Sequence, residues 1–165
     1  WNLIAQQTLM AQSTQSRIVR ADDGRFWTDG WDGYSPARER LLDSLRGVSN
    51  PIVLGGDVHT FYANELRPDF LRPVSRENPV VATEFVGTSV TSGSRPQART
   101  DQYVDMNPHV KYGRSDRRGF MLMDITPGET RTTFMGLEDV RDERSGIAAL
   151  AAFRVRDGRP GPEQV

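Results

Sequence analysis

The sequence predicts a mixed α/β (α+β) fold, and three observations support that class. A helical pattern over residues 35–46 leads through a short turn into the apolar run 52–54, which is typical of a buried strand. A second strand is predicted at 80–86. The C-terminal part alternates strand-like runs with turns. Helix and buried strand in succession indicate an α/β layer, and 165 residues suffice for one domain or part of one.

The helix is predicted from its two ends and its apolar stripe. Ser35 can cap it, Pro36 suits the first helical position, and Gly47 lies just past the end. The stripe is formed by Ala37, Leu41, Leu42 and Leu45.

The C-terminal part is predicted to be a β-meander. Its strands are expected at 119–126, 130–136 and 151–156, with a turn at Pro127-Gly128. The Pro- and Gly-rich residues 157–165 are expected to form a flexible tail, so that the domain would span residues 1–156.

Three segments are less regular. Residues 2–12 fit either an edge strand or a short helix, and 16–34 are predicted to be a long loop. Residues 87–109 are polar and are predicted to be a second long loop, of a kind that often carries function.

Composition excludes several classes of function. A net charge of -1 gives no global reason to expect nucleic acid or an anionic membrane as partner. The chain has no cysteine, which excludes disulfides, zinc–thiolate sites and thiol nucleophiles from it. No apolar run is long enough for a membrane span, and no signal peptide is visible. Because the chain begins inside an apolar pattern and without methionine, it is expected to be the interior of a longer protein.

The pair Asp57 and His59 follows the apolar run and two glycines. In an extended segment, side chains two residues apart point the same way, so both can address one metal ion. A carboxylate with an imidazole suits iron, zinc or manganese. Alternatively, Asp57 caps a turn and His59 bonds to backbone. Two ligands also fall short of the three or more protein groups that catalytic metals usually need.

Three other groups of residues fit either a functional or a structural role. Trp31 and Tyr34 can line a pocket mouth or form a packed lid on the helix entry. Glu84 and the hydroxyls after it can bind an anion or serve structure, since neither a nucleophile elbow nor a P-loop is present. The third group can hold a phosphate or face water, and consists of Asn107, His109, Lys111, Arg114, Arg117 and Arg118.

Taken in order, these blocks resemble the C-terminal half of the alkaline phosphatase D (PhoD-like) metallophosphatase family over residues 1–156. The blocks that carry the resemblance are WNLIAQQ at 1–7, WDGY at 31–34, RERLL at 38–42, VLGGDVH at 53–59, EFVGTSVTS at 84–92, NPH at 107–109 and RGF at 118–120.

The resemblance implies a calcineurin-like phosphoesterase fold, in which two β-sheets lie between helical layers. It also implies metal-dependent hydrolysis of phosphate mono- and diesters at alkaline pH, by a cluster containing Fe³⁺ and Ca²⁺, in a parent protein exported through a twin-arginine signal. Asp57 and His59 match the family's Gly-Asp-x-His motif and would be metal ligands. Glu84 and His109 are the catalytic candidates, in supporting roles beside Asn107.

The family's tyrosine, cysteine, aspartate and asparagine ligands belong to its N-terminal half, and nothing in this chain matches them. The chain is therefore expected to supply only part of an active site, and to show little or no phosphatase activity by itself. The partners expected are a phosphate ester, the N-terminal half and, because half a sandwich leaves open sheet edges, a second copy of the chain. The alternative is an inactive truncated domain with a structural or ligand-binding role.

Overall fold

The computed structural model describes residues 1–16 and 25–165, which form two β-sheets and two α-helices beside a short 3-10 helix, Trp31–Tyr34. The helices are α1 (Ser35–Ser44) and α2 (Gln97–Met106). The strands are β1 (Asn2–Ala5), β2 (Pro51–Gly55), β3 (Phe61–Leu66), β4 (Ala82–Val86), β5 (Val110–Arg114), β6 (Gly119–Ile125), β7 (Glu129–Leu137), β8 (Ile147–Arg156) and β9 (Arg159–Gln164). Within the described residues, no helix is long and apolar enough to cross a membrane.

The two sheets differ in topology. The five-stranded sheet has the order β1-β2-β4-β3-β5, in which β1, β2 and β4 are parallel and β3 runs antiparallel to β4 and β5. The four-stranded sheet is an antiparallel meander in the order β6-β7-β8-β9. The predicted mixed α/β class is confirmed, as is the meander.

The sheets pack face to face through aromatic side chains. Phe134 of β7 lies at the centre, with its ring centroid 4.8 Å from that of Phe61 and 5.5 Å from that of Phe153. The rings of Phe85 and Tyr112 lie 6.2 Å and 5.7 Å from it. Phe61, Phe85 and Tyr112 belong to the five-stranded sheet. Because side chains alternate across a strand, the residues next to them in sequence face the other side of that sheet.

That other side carries the second half of the core. Val53, Tyr62 and Val86 pack there against Leu42 of α1 and Tyr103 of α2. The buried segment 9–14, which has no helix or strand, lies on the same side. Among the described residues, both helices thus cover one face of one sheet.

The helix at 35–46 is confirmed, but its start differs from the prediction. Ser35 is the first helical residue rather than the cap, and its hydroxyl donates to the Asp32 carbonyl at 3.1 Å. The cap position is taken by Tyr34, which has φ of -130° and ψ of 40° and makes no capping hydrogen bond with its side chain. Leu42 and Leu45 are buried as the stripe predicts.

The predicted loop at 87–109 and the flexible tail at 157–165 are partly wrong. Residues Gln97–Met106 of that loop form α2, a polar helix that buries Thr100 and Tyr103. Residues Arg159–Gln164 of the tail form β9, paired with β8. Its two prolines are tolerated because β9 is an edge strand, where a missing N–H costs no sheet hydrogen bond. Of the loop predicted at 16–34, residues 17–24 lie outside the described part.

Candidate functional site

Three loops meet at one edge of the five-stranded sheet. They follow the carboxyl ends of the parallel strands β1, β2 and β4, and comprise residues 6–8, 56–60 and 87–95. Backbone hydrogen bonds join them: the N–H of Gly56 donates to the Gln7 carbonyl at 3.1 Å, and that of Gly87 to the Gly55 carbonyl at 2.9 Å. Ligands collect at such edges in open α/β sheets.

Gly55 allows the loops to come this close. A Cβ at this position would lie 2.3 Å from the Thr8 carbonyl oxygen, so any side chain would push the loops apart. The left-handed backbone lies just after the two glycines. Asp57 and His59, with φ of 67° and 53°, adopt left-handed backbone, which non-glycine residues rarely do. The expected extended segment is therefore wrong, because both residues lie in a turn.

The imidazole of His59 is held in one orientation. Its Nδ1 lies 2.8 Å from the Gly93 carbonyl oxygen. A carbonyl only accepts, so Nδ1 carries the proton, and Nε2 of the neutral ring keeps its lone pair. Histidines that bind metals commonly have this second hydrogen bond, which fixes the ring and its tautomer. His59 is half-buried, and the carboxylate of Asp57 is exposed to solvent.

The side chain of Arg118 joins the loops 56–60 and 87–95 by hydrogen bonds. Its guanidinium donates to the His59 carbonyl at 3.2 Å and to the Ser92 carbonyl at 2.7 Å. It also donates to the Ser89 hydroxyl at 3.1 Å and to the Ser115 carbonyl. With five N–H donors in a fixed plane, arginine suits a position where several carbonyls converge.

Asp57 and His59 offer an oxygen and a nitrogen donor, which fits part of a metal site. Across residues 1–16 and 25–165, no group of three or more His, Cys, Asp or Glu side chains is placed to hold a metal ion. Among the described residues, Asp57 and His59 thus stand as a pair of potential donors without a third such side chain placed beside them.

Glu84 is fully buried in β4 and faces the helical side of the sheet. Its carboxylate accepts hydrogen bonds from the N–H of Met10 at 2.6 Å and of Ala11 at 3.0 Å, and from the Asn64 amide at 2.8 Å. Burial raises the pKa of this carboxyl to about 7, while the three donors and Arg38 act in the opposite direction. Through these hydrogen bonds, Glu84 holds the backbone of segment 9–14 against the sheet.

His109 and Asn107 hold the same segment farther along. Nε2 of His109 lies 2.8 Å from the Gln12 carbonyl, and the Asn107 amide bonds to both the N–H and the carbonyl of Thr14, at 3.2 Å and 3.0 Å. Both side chains are buried. The segment has no regular secondary structure, so these side chains satisfy backbone groups that a helix or sheet would otherwise pair.

His109 lies at the opposite end of β3 from His59. Its carbonyl accepts from the N–H of Glu65, the fifth residue of the strand, whereas His59 precedes the strand by two residues. Phe61 and Glu65 are four residue steps apart along the strand, a distance of about 14 Å. The structure thus does not bring His109 to the Asp57–His59 turn, and the catalytic roles expected for His109 and Glu84 stay predictions.

Of the two alternatives for the polar residues at 107–118, a shared phosphate site does not fit the structure. Arg114 pairs with Asp116 at 2.7 Å, Lys111 with Glu65 at 3.1 Å, and Arg117 donates to the Glu138 carbonyl at 2.7 Å. Arg118, Asn107 and His109 are occupied by the backbone contacts above. Arg117 also lies 3.8 Å from Asp116, so the cationic side chains of this segment are paired with carboxylates or backbone carbonyls and do not converge on one point.

Comparison with known proteins decides the family. The model of the PhoD-like phosphatase family matches residues 1–134. The chain belongs to this family. It is 31% identical to alkaline phosphatase D of Bacillus subtilis (strain 168) over 173 residues, which cover all of this chain.

A solved structure also matches the fold of this chain. A structure titled "Structure of PhoD" matches the whole chain with a TM-score of 0.85 at 29% identity. The chain spans 28% of the length of the Bacillus subtilis relative and 31% of the solved chain. The resemblance noted from the sequence blocks is thereby confirmed at the level of the family.

The buried imidazole of His109 predicts a dependence of stability on pH. Burial lowers its pKa to about 3, because the imidazolium would be desolvated, and the bond to Gln12 only partly opposes this. A folded-state pKa below the unfolded value gives stability that is present above about pH 6.5 and is lost as the pH falls toward 3.

We expect His109→Gln, which keeps a donor for Gln12, to remove this dependence. Between pH 6.5 and 4 the unchanged chain should lose free energy of unfolding relative to the variant by up to about 1.4 kcal/mol per pH unit. Urea unfolding at a series of pH values measures this difference, in which the opposite contribution of Glu84 cancels. Parallel curves for the two proteins would contradict the prediction.

Proposed function

We propose that this chain supplies the Gly-Asp-x-His corner of a metal-dependent phosphoester hydrolase active on phosphate mono- and diesters. Asp57 and the Nε2 atom of His59 would be metal ligands, with Fe³⁺ and Ca²⁺ as the ions. The observation that carries the proposal is the turn at 57–59, placed at the carboxyl ends of parallel strands, with Nδ1 of His59 engaged by Gly93 and Nε2 left with its lone pair. The family assignment supports the reaction class.

The residues of this chain contribute position and protonation state. The Gly93 carbonyl keeps the proton of His59 on Nδ1, and Arg118 prevents the loops at 57–60 and 87–95 from separating. When bound, the metal ions supply charge stabilisation for the phosphoryl oxygens and lower the pKa of a coordinated water. Glu84 and His109 act at a distance, as positioning groups for segment 9–14.

The remaining metal ligands would come from polypeptide outside this chain. This part of the proposal is supported by the length of the alkaline phosphatase D relative, of which the chain covers 28%. Two exposed apolar side chains on one face of the edge strand β6, Phe120 and Leu122, offer a surface for additional polypeptide, either the rest of the phosphatase domain or a second copy. Export of the parent protein is part of the same proposal and rests on the family resemblance.

Loss of either proposed ligand should weaken metal binding without unfolding the protein. We expect Asp57→Asn and His59→Ala each to reduce the affinity for Mn²⁺ or Ca²⁺ by about 10- to 100-fold. Asp57 is exposed and His59 is half-buried, so we expect both variants to keep the fold. Titration calorimetry of the purified chain measures the affinity, and circular dichroism reports the fold.

Asp124→Asn is the matched control, since Asp124 is an exposed carboxylate on β6 in the other sheet. It should bind metal as the unchanged chain does. Equal affinities for the unchanged chain and both ligand variants would remove Asp57 and His59 from the metal site.

A further inference from the structure

A pocket of about 400 Å³ lies beside the Asp57–His59 turn. Its walls are residues 6–8 on one side, and residues 29–31 with Tyr34 and Ala37 on the other. The wall at 6–8 is one of the three loops of the candidate site, and Gln7 accepts the hydrogen bond of Gly56, the residue before Asp57. The pocket therefore adjoins the proposed metal corner through a single hydrogen bond.

Trp31 is a fixed wall of this pocket. Its indole Nε1–H donates to Oε1 of Gln6 at 3.1 Å, and that same oxygen accepts the N–H of Thr8 at 3.1 Å. The indole is half-buried and packs against the core cluster that Val58 also touches. Trp31 combines features of both alternatives given for it above. It packs against the core, as a lid on the helix entry would, and it also lines a pocket.

Tyr34 is not packed. Its side chain is 68% exposed, although it stands at the pocket rim and belongs to the 3-10 helix that also carries Trp31. An exposed aromatic ring beside a fixed indole offers two π-faces to a ligand, and aromatic rings with a polar tip are typical of binding surfaces. The two rings thus form a surface for an apolar group.

The pocket has a definite electrostatic character. Among the described residues that line it, Asp29 is the one charged side chain, and the rest are aromatic, small or neutral polar groups. A carboxylate repels an anionic ligand. Aromatic faces attract cations, and both neutral and cationic groups with apolar surface can stack on them.

We propose that this pocket binds the alcohol portion of the phosphoester, and that it selects an uncharged or cationic alcohol with an apolar face over an anionic one. This inference rests on the proposed function, because the pocket is assigned through the loop 6–8, which it shares with the candidate site. Trp31 and Tyr34 determine the affinity for the apolar face, and Asp29 determines the preference for charge.

The test uses three small compounds that share a phenyl ring and differ in charge, in the presence of EDTA. Benzyl alcohol and benzyltrimethylammonium should bind the chain and shift the NMR signals of the Gly30 amide and the Trp31 indole N–H, whereas benzoate should bind more weakly. Tyr34→Ala should weaken the first two ligands by about two- to fivefold. Asp29→Asn should reduce the preference for the cation over benzoate by a similar factor, and leave benzyl alcohol unchanged.

Val140→Ala is the control, because Val140 is exposed in the turn after β7, lies outside the pocket walls and should not affect any of the three affinities. Shifts that map elsewhere, equal binding of all three compounds, or unchanged affinities in Tyr34→Ala would overturn the proposal. EDTA removes metal from the measurement. Failure here together with intact metal binding at Asp57 and His59 would therefore discard the pocket and leave the proposed function standing.

Discussion

Phe134→Ala should lower the free energy of unfolding by about 3–5 kcal/mol. The Phe134 side chain is fully buried between the two sheets and lies within ring contact of Phe61, Phe85, Tyr112 and Phe153. Truncation removes apolar surface from the core and leaves a cavity lined by rings that are held by four different strands. Because strands on both sides fix those rings, the cavity cannot collapse, and the loss falls in the upper part of the range for large-to-small changes.

Chemical denaturation with two probes measures this loss. Phe120→Ala, on the neighbouring strand of the same sheet, is the control: its ring is 42% exposed, so we expect a change within about 0.5 kcal/mol. If both variants lost the same free energy, Phe134 would not be the centre of the inter-sheet core.

The elements with a strong local pattern were predictable from the sequence. The helix after Pro36 combines good boundaries with a four-residue apolar repeat, and β2 is a short apolar run, so local pattern and final structure agree. The meander was predictable because turn residues separate alternating strands. These are cases in which periodicity alone identifies the element.

The missed elements have polar residues in buried places. In β3 the buried Asn64 interrupts the apolar alternation, and it is tolerated because Glu84 accepts its amide hydrogen. α2 has few apolar residues and no side-chain cap, so its pattern is that of a loop. Partners distant in sequence stabilise both elements, and a single sequence does not show which partners meet.

The same holds for the candidate site. Asp57 and His59 were predictable as a pair from the residues alone, yet their left-handed backbone depends on how three loops meet at the sheet edge. The roles of Arg118 and Glu84 required the fold, since each binds backbone groups more than 20 residues away in sequence. The spacing of Asp57 and His59 was enough to predict a pair of potential metal ligands. The hydrogen bonds of Arg118 and Glu84 could be identified only from the structure, because their partners are distant in sequence.

The second large effect concerns Arg38, a buried cation in α1. Its guanidinium pairs with Asp32, whose side chain is also buried, and it lies 5.0 Å from the ring centroid of Phe70. Arg38 lies in the block 38–42, one of those that carry the family resemblance. Its position is structural: Asp32 accepts the N–H of Ser13 at 2.7 Å, and Arg38 donates to the Met10 carbonyl at 3.4 Å.

Arg38→Met should destabilise the chain by about 3–5 kcal/mol, because it leaves the Asp32 carboxylate buried without its counter-charge. The loss should extend to segment 9–14, and amide hydrogen exchange at Met10 and Ser13 should accelerate more than exchange in the meander strand β7. Equal acceleration throughout the chain would show that Arg38 affects only global stability.

A double variant separates the charge from the packing. Asp32→Asn together with Arg38→Met removes both charges and keeps an oxygen that can accept the Ser13 N–H. We expect the double variant to be more stable than Arg38→Met alone, since replacing both members of a buried pair avoids an uncompensated charge. A double variant as unstable as the sum of the two single changes would instead mean that the guanidinium acts through Phe70 and Met10, independently of Asp32.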